Sequence, residues 1–192
     1  MASLTTAVEP STRMREHLER EAKQRGLGNV VTVASGWEEA EVAPHDVVLC
    51  SHVLYPIADV VPLIEKLDAC TKRTGVVTIR VDQLAPELSP LWHEVWGEAR
   101  PPEPGLLDLY NVLFALGVRA NVRLAPFVRP GPFEDLGEAI ARIRQLLFLP
   151  SDDHEHDGRI GRVLEGTLVP RGGRLTWPAT QQAGIVWWEK QP

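Results

Sequence analysis

Three short runs of apolar residues, Val30–Val33, Asp46–Cys50 and Val76–Val81, constrain this chain more than anything else in it. They are rich in β-branched residues, as strands are, and the second is apolar at consecutive positions rather than alternate ones. Continuous apolarity over so few residues suits strands buried on both faces of a parallel sheet. Helical stretches separate them. After Pro10, Ser11 can cap a helix carrying Met14, Leu18 and Ala22 at every fourth position, with Gly26 to stop it. Asp59 can cap a second helix with Val60, Ile64 and Leu67 on one face, Pro62 falling in its tolerated first turn and Gly75 ending the turn after it. With a first short strand at Thr6–Val8, the order strand–helix–strand–strand–helix–strand predicts an α/β fold with a doubly wound, mostly parallel sheet.

The remainder is less regular. Residues 84–105 combine Pro86, Pro90, Pro101, Pro102 and Pro104 with Trp92 and Trp96, and predict an irregular cover with one helical piece. A helix is expected over Leu106–Leu116, closed by Gly117, then a strand near Val118–Leu124. Asp135 and Glu138 form a capping-box pair for a helix with Ile140, Ile143 and Leu147. The polar stretch PSDDHEHDGR reads as a loop, and Ile185–Trp188 as a final strand whose two tryptophans face opposite ways. The expectation is one domain over 1–192, with a core at 1–82 and a cover with the last strands at 83–192.

Charge and length exclude several functions. A net charge of −6 gives no electrostatic footprint for nucleic acid or an anionic membrane surface. No apolar run is long enough to span a bilayer, and the first residues lack a signal-peptide pattern. Cys50 and Cys70 lie in apolar segments and read as buried thiols, so a reduced, cytoplasmic setting is expected. His154 and His156 among four acids have i, i+2 spacing in a polar loop, which is not a closed metal-site pattern; a solvated acidic loop is expected. Arg159, Arg162, Arg171 and Arg174 read as solvated surface.

The residues that could carry chemistry stand where strands end. Ligands of open α/β sheets bind outside the carboxyl ends of the strands. Glu9 ends the first strand, and a carboxylate there can accept hydrogen bonds from both hydroxyls of a ribose. Its other reading is a cap on the helix that follows. Trp37 and Glu38 come just past the next strand and offer a flat face and an acceptor for an exocyclic amine. Ser51 and His52 end the third. His52 has the ordinary pKa of a general base, and its other reading is a pocket wall. Tyr55 and Arg80 are further pocket candidates.

Taken in order, AVEPSTRMREHL, VASGWEEAE, HDVVLCSHVLYPIADVVPLIEKL and GVVTIRV resemble the middle of a class I S-adenosylmethionine-dependent methyltransferase. The likeness covers about residues 5–82 and points to poorly characterised bacterial members acting on small molecules. It implies S-adenosylmethionine as cofactor, with Glu9 holding the ribose and Trp37 and Glu38 the adenine. It also implies Ser51 and His52 beside the methionine moiety, Tyr55 on the substrate side, and His52 and Tyr55 as catalytic candidates. The implied partner is a small-molecule methyl acceptor.

The resemblance also marks a departure. Such enzymes begin with a strand and a Gly-rich turn whose backbone meets the cofactor's amino-acid end. Here Gly26/Gly28, Gly158/Gly161 and Gly172/Gly173 are expected after helices or polar loops, not after a strand. The pattern therefore enters at the family's second strand. The first would lie in the middle of the sheet, between the strands ending at Glu9 and Cys50. Either those strands close up, or a partner fills the gap, or the native protein is longer. The alternative function is a non-catalytic methyltransferase remnant serving as a binding or oligomerisation module, which makes a homo-oligomer an expected state. A Rossmann-type dehydrogenase is a weaker reading, because it needs the same Gly-rich turn.

Overall fold

The first helix begins where the sequence places it. In the computed structural model, which describes residues 2–81, 88–127, 131–178 and 181–190, strand β1 (Thr5–Val8) leads into helix α1 (Thr12–Gln24). The Ser11 hydroxyl accepts from the Met14 amide at 3.4 Å, and the Glu9 carboxylate from the Ser11 amide at 2.8 Å. Gly26 follows the helix with φ of 67°, a conformation that favours glycine. Strand β2 (Val30–Val33) pairs parallel to β1, and β3 (His45–Ser51), helix α2 (Val61–Ala69) and β4 (Thr71–Arg80) complete the α/β half. Helices α3 (Leu88–Trp96) and α4 (Leu106–Ala115), strand β5 (Asn121–Phe127), and helices α5 (Leu136–Leu146) and α6 (Asp157–Thr167) follow. The hairpin β6 (Val169–Arg171)–β7 (Arg174–Thr176) and the last strand, β8 (Gln181–Glu189), end the chain.

The α/β class holds, and the sheet is mixed. β3 and β4 are parallel, whereas β8 runs antiparallel between β4 and β5, giving the order β3-β4-β8-β5. β1 and β2 form a separate two-stranded parallel ladder. Among the described residues no backbone hydrogen bond joins β1 to β3; the two meet through a side chain, His45 Nε2 lying 2.8 Å from Thr6 Oγ1. Of the outcomes the resemblance left open, the structure thus excludes a ladder closed between these two strands.

Two cores form. One packs Leu63, Ile64 and Leu67 of α2 and Leu106, Leu109 and Leu113 of α4 against Val77, Ile79, Val186 and Trp188 of the sheet. The other joins α3, α5, α6 and the hairpin through Leu91, Ile143, Leu147, Ile160, Leu164 and Phe133. Trp188 is 3% exposed while Trp187 points to the other face, as strand alternation requires. The residues 82–87 that open the expected cover, and with them the boundary at 82/83, lie outside the described residues.

Several sequence expectations are corrected. Gly75 does not end a turn; it lies inside β4, where the Trp188 indole crosses it so closely that an added Cβ would sit 2.4 Å from Cζ2. Gly75→Ala is therefore expected to destabilise the fold by about 1–3 kcal/mol, the usual range for overpacking, as read by urea denaturation. Gly172 and Gly173 follow a strand, β6, and turn it into β7 with φ of 60° and 77°, the two positive values a tight hairpin turn demands. The strand expected at 118–124 runs instead over Asn121–Phe127. The stretch read as a polar loop runs into α6, whose Ile160 and Leu164 are fully buried.

Candidate functional site

Glu9 and Trp37 stand beyond the carboxyl ends of the parallel-paired strands β1 and β2, and Ser51 is the last residue of β3. The Glu9 amide donates to the Val33 carbonyl at 3.1 Å, so the ends of β1 and β2 lie side by side. The helix-cap reading of Glu9 is seen directly: its Oε1 accepts from the Ser11 amide, and its backbone carbonyl takes a 2.8 Å bond from Arg15. One such bond leaves a carboxylate most of its acceptor capacity. Glu9 also lines a groove of about 480 Å³ between β1 and α1, with Ala7, Val8, Met14, Leu18 and Ala22.

The turn after β2 is held by a lysine that sequence reasoning did not single out. Lys66 of α2 donates to the carbonyls of Trp37, Glu38 and Ala40 at 2.6, 2.9 and 2.7 Å, and lies 5.3 Å from the Trp37 ring centre. The Trp37 indole N–H donates to the Leu63 carbonyl at 3.3 Å, and its ring packs half-buried against the α2–α4 core. Trp37 is thus fixed in place, while the Glu38 side chain is exposed.

At the end of β3, Ser51 Oγ lies 2.7 Å from Thr78 Oγ1, its register partner on β4. His52 has φ of 55°, a left-handed backbone that histidine adopts more readily than most residues. Its Nδ1 is 2.7 Å from the Tyr55 hydroxyl, which also accepts from the Arg80 amide at 3.0 Å. The Tyr55 oxygen accepts from the Arg80 amide in either case, and which of Tyr55 Oη and His52 Nδ1 donates to the other is set by the tautomer of the ring. The Arg80 guanidinium stacks 4.2 Å over the Tyr55 ring and pairs with Glu103, which also pairs with Arg100. Burial, and after it the Arg80 charge, hold the His52 pKa below 6.5. Burial pushes the Cys50 thiol up to about 11, so it stays protonated and is no nucleophile at neutral pH.

A histidine titration by NMR is expected to place His52 below 6.5. Arg80→Met should raise it part of the way back, since burial is the larger cause. The sign for stability follows: the unfolded chain binds this proton more readily, so the contribution is present above about 6.5 and is lost as pH falls through the folded value.

The structure brings His52 and Tyr55 into direct contact, and Glu9 beside the strand end that leads to Trp37. Trp37 and Tyr55 pack against the same core. No described contact joins Glu9 or Glu38 to His52. Thr78 and Lys66 were missed; Thr78 had a signal as a polar residue inside an apolar strand, whereas Lys66 had none. The histidines of 152–157 serve a local network: His154 Nδ1 lies 2.8 Å from Asp157, His156 pairs with Asp153, and Arg144 bonds the Ser151 carbonyl at 2.6 Å. Among the described residues no group of side chains could hold a metal ion, and no helix is long and apolar enough to cross a membrane.

Comparison with solved structures places the architecture. The YcgJ protein from Bacillus subtilis superposes with a TM-score of 0.62 at 11% identity, over 99% of this chain and 83% of that one. Coclaurine N-methyltransferase bound to N-methylheliamine and SAH superposes with a TM-score of 0.54 at 14% identity, over 95% of this chain and 58% of that one. This chain has the class I methyltransferase fold. The same fold is shared with the [4+2]-cyclase SpnF, at a TM-score of 0.55 and 15% identity over 98% of this chain and 68% of that one, so the methyltransferase fold alone does not set the reaction. No family model matches the sequence, and no curated protein matches it.

Proposed function

We propose that this chain is an S-adenosylmethionine-dependent methyltransferase acting on a small molecule. The observation that carries the reading is the order of strand-end residues on this fold: an acid at β1, a clamped indole with an acid after β2, and a hydroxyl–imidazole pair at β3. The residues fit the adenosine half of the cofactor. Glu9 retains acceptor sites for a ribose diol, Trp37 supplies a ring held by Lys66 and Leu63, and Glu38 supplies an exposed carboxylate for an amine. Among the described residues no Gly-rich strand-to-helix turn is present for the amino-acid end, and the resemblance gives Ser51 and His52 to that part of the cofactor.

S-adenosylmethionine, when bound, supplies an electrophilic methyl group. What the chain must do is hold an acceptor in line with it and receive any proton the acceptor loses. His52 is suited to the second task because it is neutral at pH 7. In the tautomer that leaves Nδ1 unprotonated, the Tyr55 hydroxyl gives its hydrogen to His52 Nδ1 as its oxygen takes the acceptor's proton, while the Arg80 amide keeps the phenol oriented.

One observation favours a second reading, a non-catalytic methyltransferase remnant: among the described residues no strand pairs with β1 or β3 at the place where the resemblance expects one between them. Calorimetric titration with S-adenosylhomocysteine separates the two. Saturable micromolar binding supports the enzyme, and no heat from a chain shown by circular dichroism to be folded supports the remnant.

A further inference from the structure

Three carbonyl oxygens converge on one ammonium. Those of Trp37, Glu38 and Ala40 lie 2.6, 2.9 and 2.7 Å from Lys66 Nζ, and an ammonium has three hydrogens, so its donors are fully used. The stretch belongs to no strand or helix. Apart from Lys66, it is held by the Ala40 amide on the Gly36 carbonyl at 3.0 Å and by the Trp37 indole on Leu63. Glu38, Glu39 and Glu41 carry three carboxylates within the same few residues, yet among the described residues Lys66 forms no ion pair with any of them. The Glu38 carboxylate lies instead beside Gly36, 3.3 Å from where a Cβ would stand. A trans peptide points its N–H opposite its C=O, so carbonyls turned to Lys66 turn the Glu38, Glu39 and Glu41 amides away from it. Among the described residues none of these amides has a hydrogen-bond partner.

We infer that Lys66 is a positioning residue for a purine: it touches no ligand, and it fixes the turn on which Trp37 and Glu38 meet an adenine ring. The inference rests on the cofactor reading and adds to it what makes the turn selective. A lysine paired with Glu38 would cancel the charge that accepts from an exocyclic amine. One that bonds only carbonyls shapes the backbone and leaves that carboxylate its acceptor capacity. Trp37 lies 5.3 Å from the same ammonium, so the face for the ring and the acceptor for the amine are referred to one point. Lys66 stands in the last turn of α2, where helix carbonyls favour a cation, and α2 is anchored in the core through Leu63, Ile64 and Leu67. A turn held in its binding shape before the ligand arrives removes an ordering cost from binding. The same rigidity discriminates. An adenine amine donates to Glu38, whereas a hypoxanthine oxygen faces it as a second acceptor, and only a loose turn swings away from that repulsion.

Calorimetric titration of the full chain with S-adenosylhomocysteine and its deaminated form, S-inosylhomocysteine, tests it. Lys66→Met keeps the stem and removes the donors. It should bind S-adenosylhomocysteine about 10-fold more weakly, the cost of ordering one or two side chains on binding. Its preference for the adenosine form over the inosine form should narrow several-fold. Trp188→Phe is the control, because it disturbs the same core and the Asp68 bond of α2 without touching the turn; it should keep both the affinity and the preference. Lys66→Gln, with a shorter side chain and two donors, should fall between, and it takes the place of Lys66→Met if that variant does not fold. Wild-type affinity and preference in a folded Lys66 variant overturn the inference alone. So does a loss of affinity that leaves the preference unchanged or that Trp188→Phe matches. No binding by the wild-type chain overturns the cofactor reading, and the inference with it.

Discussion

Trp188→Ala is expected to lower the free energy of unfolding by about 3–5 kcal/mol, the range for truncating a buried large aromatic. Trp188 is 3% exposed and lies across Gly75 between α2 and the sheet. Its indole N–H donates to Asp68 Oδ1 at 2.8 Å, tying the last strand to the end of α2 across most of the sequence. Alanine would open a cavity under Gly75, which has no side chain to fill it. Urea denaturation followed by circular dichroism measures the loss, and Trp188→Phe separates its parts. Phenylalanine keeps most of the burial and removes the donor, while Asp68 keeps its ion pair with Lys190. A loss of about 1 kcal/mol is expected there, the usual net value of one hydrogen bond. A loss for Trp188→Ala no larger than that for Trp188→Phe would mean that the indole does not fill the core.

Glu9→Ala is expected to weaken S-adenosylhomocysteine binding by about 10- to 100-fold, because hydrogen bonds to a charged group contribute roughly 1.5–3 kcal/mol each. The same substitution removes the cap on the Ser11 amide, so lost stability must be told apart from lost binding. Ser11→Ala does this: it deletes the neighbouring cap on Met14, should lower stability by about 1 kcal/mol, and should leave the affinity unchanged. Calorimetry on both variants and a thermal melt of each decide the matter. Equal affinities for Glu9→Ala and wild type would remove Glu9 from the ribose site and leave it a helix cap.

The contrast between those two residues reflects what local pattern carries. Glu9 was legible because a short apolar run, an acid, Pro10 and Ser11 announce a strand end and a helix start within a few residues. Ser11, Gly26, Gly117 and Asp135 were legible for the same reason: caps depend on backbone geometry at their own position. α6 was not, because the acidic run before it outweighed the spacing of Ile160 and Leu164. Gly75 was misplaced because its reason is Trp188, more than a hundred residues away.

The alternation of strand and helix, the caps, and the placing of Glu9, Trp37, Ser51 and His52 at strand ends were determined by the sequence itself, since each is a relation between near neighbours. The tertiary structure alone decided that β8 enters antiparallel between β4 and β5, that Lys66 clamps the Trp37 turn, and that Tyr55 links His52 to Arg80. Among the described residues, it alone left β1 and β3 without a ladder between them. Each of these joins segments far apart in the chain, and a strand's own residues state that it must be paired and covered without naming what does so.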